Sequence, residues 1–162
     1  MAFSITPATS ADLPTLLGLI RELAEYEELG HMVECNVASL EAALFGKEAC
    51  AEALLVHDDA QQAVAYAIWF KTFSSFLGKP GFWLEDIYVK QTHRQQGLGR
   101  SILTYIAGIA AERRYGRFEW SVLDWNKPAQ NFYTSIGAKV LPDWRITRLA
   151  GEGLTRFAAE QK

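Results

Sequence analysis

Cysteine and proline are scarce in this chain. Only Cys35 and Cys50 occur among 162 residues, with neither CxxC spacing nor a nearby histidine pair, which excludes a disulfide framework and a cysteine-ligated zinc site. His31, His57 and His93 show no metal-ligand spacing either, so no metal is expected. Five prolines and 12 glycines are too few for a fibrous or low-complexity chain. No apolar run approaches the roughly 20 residues of a membrane-spanning helix, and no membrane association is expected. Basic excess is missing too: the net charge is −3, the pI is about 5.6, and the lysines and arginines form no continuous stripe, which argues against a nucleic-acid partner. The opening Met1-Ala2-Phe3-Ser4-Ile5-Thr6-Pro7 lacks a basic leader and an apolar core, so a mature cytoplasmic protein is expected. With no repeat or linker, residues 1–162 are read as a single domain.

What is present is a globular balance, 49% hydrophobic and 22% charged, with charge unevenly distributed. Residues 1–59 hold 11 acidic side chains against two basic ones, whereas residues 90–162 hold 12 basic against six acidic. Such asymmetry suits a cationic ligand at one end and an anionic one at the other, or simply two solvated faces. Phe3, Ile5 and Pro7 predict a short strand. Thr9 to Asp12 then offers caps for a helix carrying Leu13, Leu16, Leu17, Ile20, Leu23 and Ala24 on one face. Its far end collects Glu22, Glu25, Glu27 and Glu28 around Tyr26, against the preference of a helix C-terminus for cations.

A second helix is expected from Ser39 to Phe45, closed by Gly46. A hairpin of Ala53–His57 and Ala63–Phe73 follows, then a loop from Ser74 to Gly81 and a strand from Phe82 to Val89. A long helix opens at Gln96-Gly97-Leu98-Gly99 and ends at Gly116. Phe118–Leu123 is expected as a strand, Pro128–Ile136 as a helix stopped by Gly137, and Trp144–Leu149 as a last strand. The alternation in the second half favours parallel pairing there.

Three segments are candidates for chemistry. Arg94-Gln95-Gln96-Gly97-Leu98-Gly99-Arg100 follows a strand and opens a helix, where backbone N–H groups and close-approaching glycines make a cradle for phosphate. The same residues read equally well as a glycine-rich turn without a ligand. They match neither a dinucleotide fingerprint nor a Walker loop, which disfavours hydride transfer and nucleotide hydrolysis. In the second segment, Asn126 caps a helix whose Ala129, Phe132, Tyr133 and Ile136 share a face, so Tyr133 is either a cleft residue or a packing one. In the third, Leu84-Glu85-Asp86 sets two acids in an apolar strand. Alternation sends them to opposite faces unless a bulge intervenes, and at least one can enter a cavity.

Taken in order, Leu84-Glu85-Asp86-Ile87-Tyr88-Val89, Arg94-x-x-Gly97-x-Gly99 and Asn126-x-x-Ala129-x-x-Phe132-Tyr133 resemble the GNAT superfamily of acyl-CoA-dependent N-acetyltransferases. Pro7-Ala8-Thr9 and Glu22-Leu23-Ala24-Glu25-Tyr26-Glu27 extend the resemblance to the spermidine/spermine N-acetyltransferase-like branch, which includes diamine and thialysine acetyltransferases. It implies an α/β (α+β) fold with a central mixed, twisted sheet of about seven strands flanked by about four helices. It also implies a homodimer. Trp144 to Ala150 would by analogy provide an interface strand.

The resemblance further implies that acetyl-CoA is the co-substrate. Ile87, Tyr88 and Val89 would bind its pantetheine arm through backbone groups. Arg94, Gln95, Gln96, Gly97, Leu98, Gly99 and Arg100 would hold the pyrophosphate, with Asn126, Ala129 and Phe132 lining the slot. Glu85 would be the general base, through a water, and Tyr133 the general acid. An alkylammonium with a pKa of about 10 must lose a proton before it attacks, and a thiolate whose acid has a pKa of about 8.5 gains from protonation as it leaves. Backbone N–H groups of the central strand would polarise the thioester carbonyl.

Tyr26, Glu27 and Asp86 would surround the small cationic amine. Polyamine-specific members carry a further acid in the loop before the central strand, whereas residues 74–81 have none and include Lys79. Asp124-Trp125-Asn126 is closer to the thialysine-type members. The implied reaction is acetyl transfer by direct attack to a diamine, polyamine or lysine-like amine. The alternatives are acetylation of a basic peptide or protein, and a catalytically silent acyl-CoA sensor.

Overall fold

The computed structural model describes residues 2–161, divided between two compact units, Met1–Ser121 and Val122–Lys162. In the first, β1 (Ser4–Pro7) leads through a single 3-10 turn, Ser10–Asp12, into α1 (Leu13–Tyr26). The Asp12 carboxylate closes that turn, accepting from the Thr9 N–H at 2.8 Å and the Thr9 hydroxyl at 2.7 Å. These bonds hold the Asp12 acid below its ordinary range. α2 (Val37–Phe45) begins two residues before Ser39, because Asn36 and Ser39 cap it reciprocally: Asn36 Oδ1 accepts from the Ser39 N–H at 3.0 Å, and Ser39 Oγ accepts from the Asn36 N–H at 2.9 Å.

β2 (Glu52–His57), β3 (Ala63–Ser74), β4 (Lys79–Val89) and β5 (Arg117–Trp120) complete a sheet in the order β1-β2-β3-β4-β5. All neighbours are antiparallel except β4 and β5, which are parallel and bridged by α3 (Leu98–Glu112). The expected loop over residues 74–81 shrinks to a turn, since β3 and β4 stay paired as far as Ser74 and Lys79, and the Gly78 N–H donates to the Ser74 carbonyl at 2.8 Å. On one face, Leu16 and Leu19 of α1 pack with Ala53, Leu55, Tyr66, Ile68 and Tyr88. The alternating residues Leu54, Val56, Ala65, Ala67 and Trp69 are equally buried, so both faces of the central strands are covered. Burying each large apolar side chain contributes roughly 2 kcal/mol.

α3 stops earlier than Gly116. Arg114 takes the left-handed conformation with φ 58°, and the Tyr115 N–H returns to the Ala110 carbonyl at 2.8 Å. Gly116 has a different task, closing on β4 with its N–H 2.8 Å from the Pro80 carbonyl. A Cβ there would meet the Leu77 and Lys79 side chains at 3.2 Å.

The second unit holds α4 (Lys127–Ser135) and α5 (Gly151–Ala158). The expected strand at 144–149 does not form: among the described residues no strand pairs with it, and Trp144 and Ile146 are 77% and 67% exposed. Branched and aromatic residues favour a strand only where a sheet edge receives them. Among the described residues there are therefore five strands and five α-helices within the expected α/β class, against the anticipated seven and four.

Candidate active site

The central feature lies in β4. Its register with β3 pairs Leu84 with Trp69 and Asp86 with Ile68, which leaves Glu85 as an extra residue, a β-bulge. Glu85 is exposed and Asp86 half-buried. On the other side, the parallel pairing with β5 ends at Leu84–Trp120, although β4 runs on to Val89. From Glu85 to Val89 the β4 edge facing β5 therefore has no strand neighbour among the described residues. Its peptide groups are available to an extended ligand, as at any unpaired strand edge.

The chain then turns through a 3-10 turn, Gln91–His93, into the N-terminus of α3. Gln95 and Gly97 both adopt left-handed backbone, with φ of 63° and 81°. Apart from its two chain neighbours, nothing crowds a Cβ built on Gly97, so the torsion and not crowding calls for glycine. The first N–H groups of α3 have no intrahelical acceptors and carry the positive end of the helix dipole. Gln95, Gln96, Gly97 and Arg100 are exposed around them, with Gly99 half-buried and Leu98 packed inward. This is anion-binding geometry.

Arg94 turns away from that cradle. Its Nε donates to the Val89 carbonyl at 3.0 Å, and its guanidinium lies 4.3 Å from the Tyr26 ring centroid and 5.8 Å from that of Tyr88. The acidic end of α1 is tied to the same segment: Tyr88 Oη donates to Glu22 Oε2 at 3.2 Å, and Lys90 Nζ is 3.5 Å from Glu22 Oε1. Lys90 and the Tyr88 hydroxyl thus offset the charge of Glu22 near the C-terminal end of the helix.

Glu27, Glu85 and Asp86 form the acidic part of the site. Burial raises the Glu27 acid above its ordinary range. Burial, with the charges of Glu85 and Glu27, pushes Asp86 up to about 6, against an opposing hydrogen bond from Tyr66. Tyr66, fully buried on β3, donates to Asp86 Oδ2 at 3.2 Å. The apolar run of β3 marks Tyr66 as a core residue, and only the β3–β4 register brings its hydroxyl to a carboxylate.

In the second unit, Asn126 caps α4, its Oδ1 accepting from the Ala129 N–H at 3.3 Å. Phe132 and Tyr133 are half-buried, with ring centroids 5.5 Å apart. Glu85 and Tyr133, the expected base and acid, thus belong to different units.

Comparison with known proteins gives the family and the fold. The model of the acetyltransferase (GNAT) family matches residues 18–138. The chain belongs to that family, and it is an acyltransferase. It is similar to the thialysine N-epsilon-acetyltransferase of Bos taurus, 35% identical over 99% of this chain and 100% of that one. It also resembles the L-ornithine N5-acetyltransferase of Arabidopsis thaliana, 43% identical over 89 residues. That alignment takes in 55% of this chain and 39% of the plant protein, so the chain spans well under two thirds of that relative's length. Among solved structures, an integron cassette protein from the mobile metagenome of V. cholerae superposes with a TM-score of 0.81 at 22% identity, covering 98% of each chain, which shows the shared fold.

Proposed function

We propose that the protein transfers the acetyl group of acetyl-CoA, by direct attack, to a primary amine of a small cationic acceptor. The acceptor classes are a diamine, a polyamine or a thialysine- or lysine-like amino acid. The observation that carries this reading is the continuity of the β4 bulge at Glu85, the open strand edge through Val89 and the left-handed turn at Gln95 and Gly97 before α3. An extended amide-bearing arm ending in a pyrophosphate fits that sequence of peptide groups followed by a helix N-terminus.

Acetyl-CoA supplies an activated acetyl thioester when bound. Glu85, exposed at the bulge, takes the ammonium proton through a water, and the freed nitrogen attacks the carbonyl carbon. N–H groups of the open β4 edge hold the carbonyl oxygen as it gains charge. Tyr133 gives its proton to the sulfur as the carbon–sulfur bond breaks, and the second proton, which the attacking nitrogen sheds on becoming an amide, restores the phenol. Asp86 and Glu27, with Tyr26 beside them, hold the remaining positive charge of the acceptor. The absence of an acid from residues 74–81, and Lys79 at the start of β4, weigh against a long polyamine. The relatives named for thialysine and ornithine point the same way. A homodimer acting in the cytoplasm completes the proposal.

Thiol release from acetyl-CoA, measured against putrescine, spermidine, spermine, thialysine, ornithine, lysine and a basic peptide, tests it. Release with one of the small amines supports the reading and chooses the acceptor. Release with the peptide alone makes the protein a peptide acetyltransferase, and acetyl-CoA binding without release makes it a sensor.

A further inference from the structure

We infer that Tyr66 is a positioning residue for amine recognition, its buried hydroxyl holding the Asp86 carboxylate toward the acceptor's cation; the inference rests on the amine acetyltransferase reading above. Tyr66 lies on β3 opposite Tyr88 in register, two residues from Ile68, which faces Asp86 across the ladder. Its side chain has no solvent exposure. A phenol in such a place needs a hydrogen-bond partner, and its hydroxyl is 3.2 Å from Asp86 Oδ2. Phenylalanine would fill the same space without that partner. The hydroxyl, not the ring, is therefore the part of Tyr66 that the core does not require.

The direction of the bond is set by the surroundings. Burial, and next the Asp86 charge, push the Tyr66 hydroxyl far above the ordinary phenol range, so Tyr66 remains the donor and Asp86 the acceptor. Four groups interact with this carboxylate: Glu85 from the same strand, Glu27 from the end of α1, Tyr66 from β3, and Cys35 from the segment before α2, on which Arg21 also acts. Burial, Glu85 and Glu27 all favour protonated Asp86, and of the groups that act on its acidity Tyr66 alone favours the ionised form. A cation requires the ionised form. Tyr66 thus keeps Asp86 oriented and charged at neutral pH, while its neighbours lean the other way.

The test is Tyr66→Phe, followed by kcat and the amine KM across a pH range from mildly acidic to mildly alkaline, with thialysine and ornithine as amines. Acetyl-CoA affinity is measured separately by calorimetry. The expected result is an amine KM raised about twofold near neutral pH and approaching ~10-fold toward about pH 5, returning to the wild-type value as pH rises, because a carboxyl that holds its proton about tenfold more tightly is ionised about tenfold less often only while the pH lies below both pKa values. kcat at saturating amine and acetyl-CoA affinity should stay within about twofold. In an Asp86→Asn background the same change should have no further effect on KM.

A KM raised equally at every pH would assign Tyr66 a packing role and overturn the inference. So would an unchanged profile in Tyr66→Phe when Asp86→Asn raises KM. If the wild-type protein binds no acetyl-CoA, turns over neither amine, or keeps its amine KM in Asp86→Asn, the acceptor reading itself fails and the inference with it.

Discussion

The guanidinium of Arg94 lies 4.3 Å from the centroid of the Tyr26 ring, joining the turn that precedes α3 to the C-terminal end of α1. The turn belongs to the anion cradle and Tyr26 to the acidic side of the site, so one stacked pair connects the regions proposed for the two substrates.

That pair predicts a cross effect. Tyr26→Leu should weaken acetyl-CoA binding about three- to tenfold, although Tyr26 is proposed for the acceptor side, because a cation–π contact contributes about 0.5–2 kcal/mol. Arg94→Gln should weaken it at least as much, and the double variant should be no worse than Arg94→Gln alone. Calorimetric titration with acetyl-CoA measures all three. Additive losses would show that the two residues act independently.

Gly97 is held at φ 81° with open space around its Cβ position, so strain and not collision should govern its substitution. Asparagine tolerates left-handed backbone far better than a β-branched residue does. Gly97→Val should cost about tenfold in acetyl-CoA affinity, and Gly97→Asn about threefold or less. Equal losses in the titration would mean that the added side chains fill space the ligand uses.

Tyr133→Phe should leave acetyl-CoA affinity unchanged and lower kcat by ~10²-fold, the usual loss on removing a general acid. Steady-state kinetics alongside the titration separate the two quantities. An unchanged kcat would place proton delivery to the sulfur elsewhere.

The parts legible in the sequence are those written locally. Glycines at a helix start, the Asn126 cap and the strand that ends in Val89 each depend on a few adjacent residues, and these elements appear within one to three residues of expectation. Thr9 and Asp12 announce the entry to α1 for the same reason. Tyr66 could not be singled out, because its partner lies 20 residues away and its neighbours are all apolar. The pairing of Glu22 with Tyr88, 66 residues apart, was hidden in the same way, so the acidic end of α1 looked like an uncompensated cluster. The 144–149 segment has strand-forming residues without a strand to join, and α5 contains Gly151 and Gly153, although glycine is a poor helix former.

The crowded carboxylate at Asp86 also bears on how the protein endures changes of acidity. An acid whose folded pKa stands at about 6, above its ordinary 3.8, binds its proton more tightly in the folded chain than in the unfolded one. Its contribution to stability is therefore greatest in acid and is lost as pH rises between those two values, the reverse of an ion-paired aspartate. At neutral pH the ionised carboxylate works against folding until a positive charge lies beside it. The cationic acceptor proposed for this site is then more than cargo: binding only the folded chain, it would offset this penalty, so heat tolerance should follow the supply of that amine most closely above about pH 6.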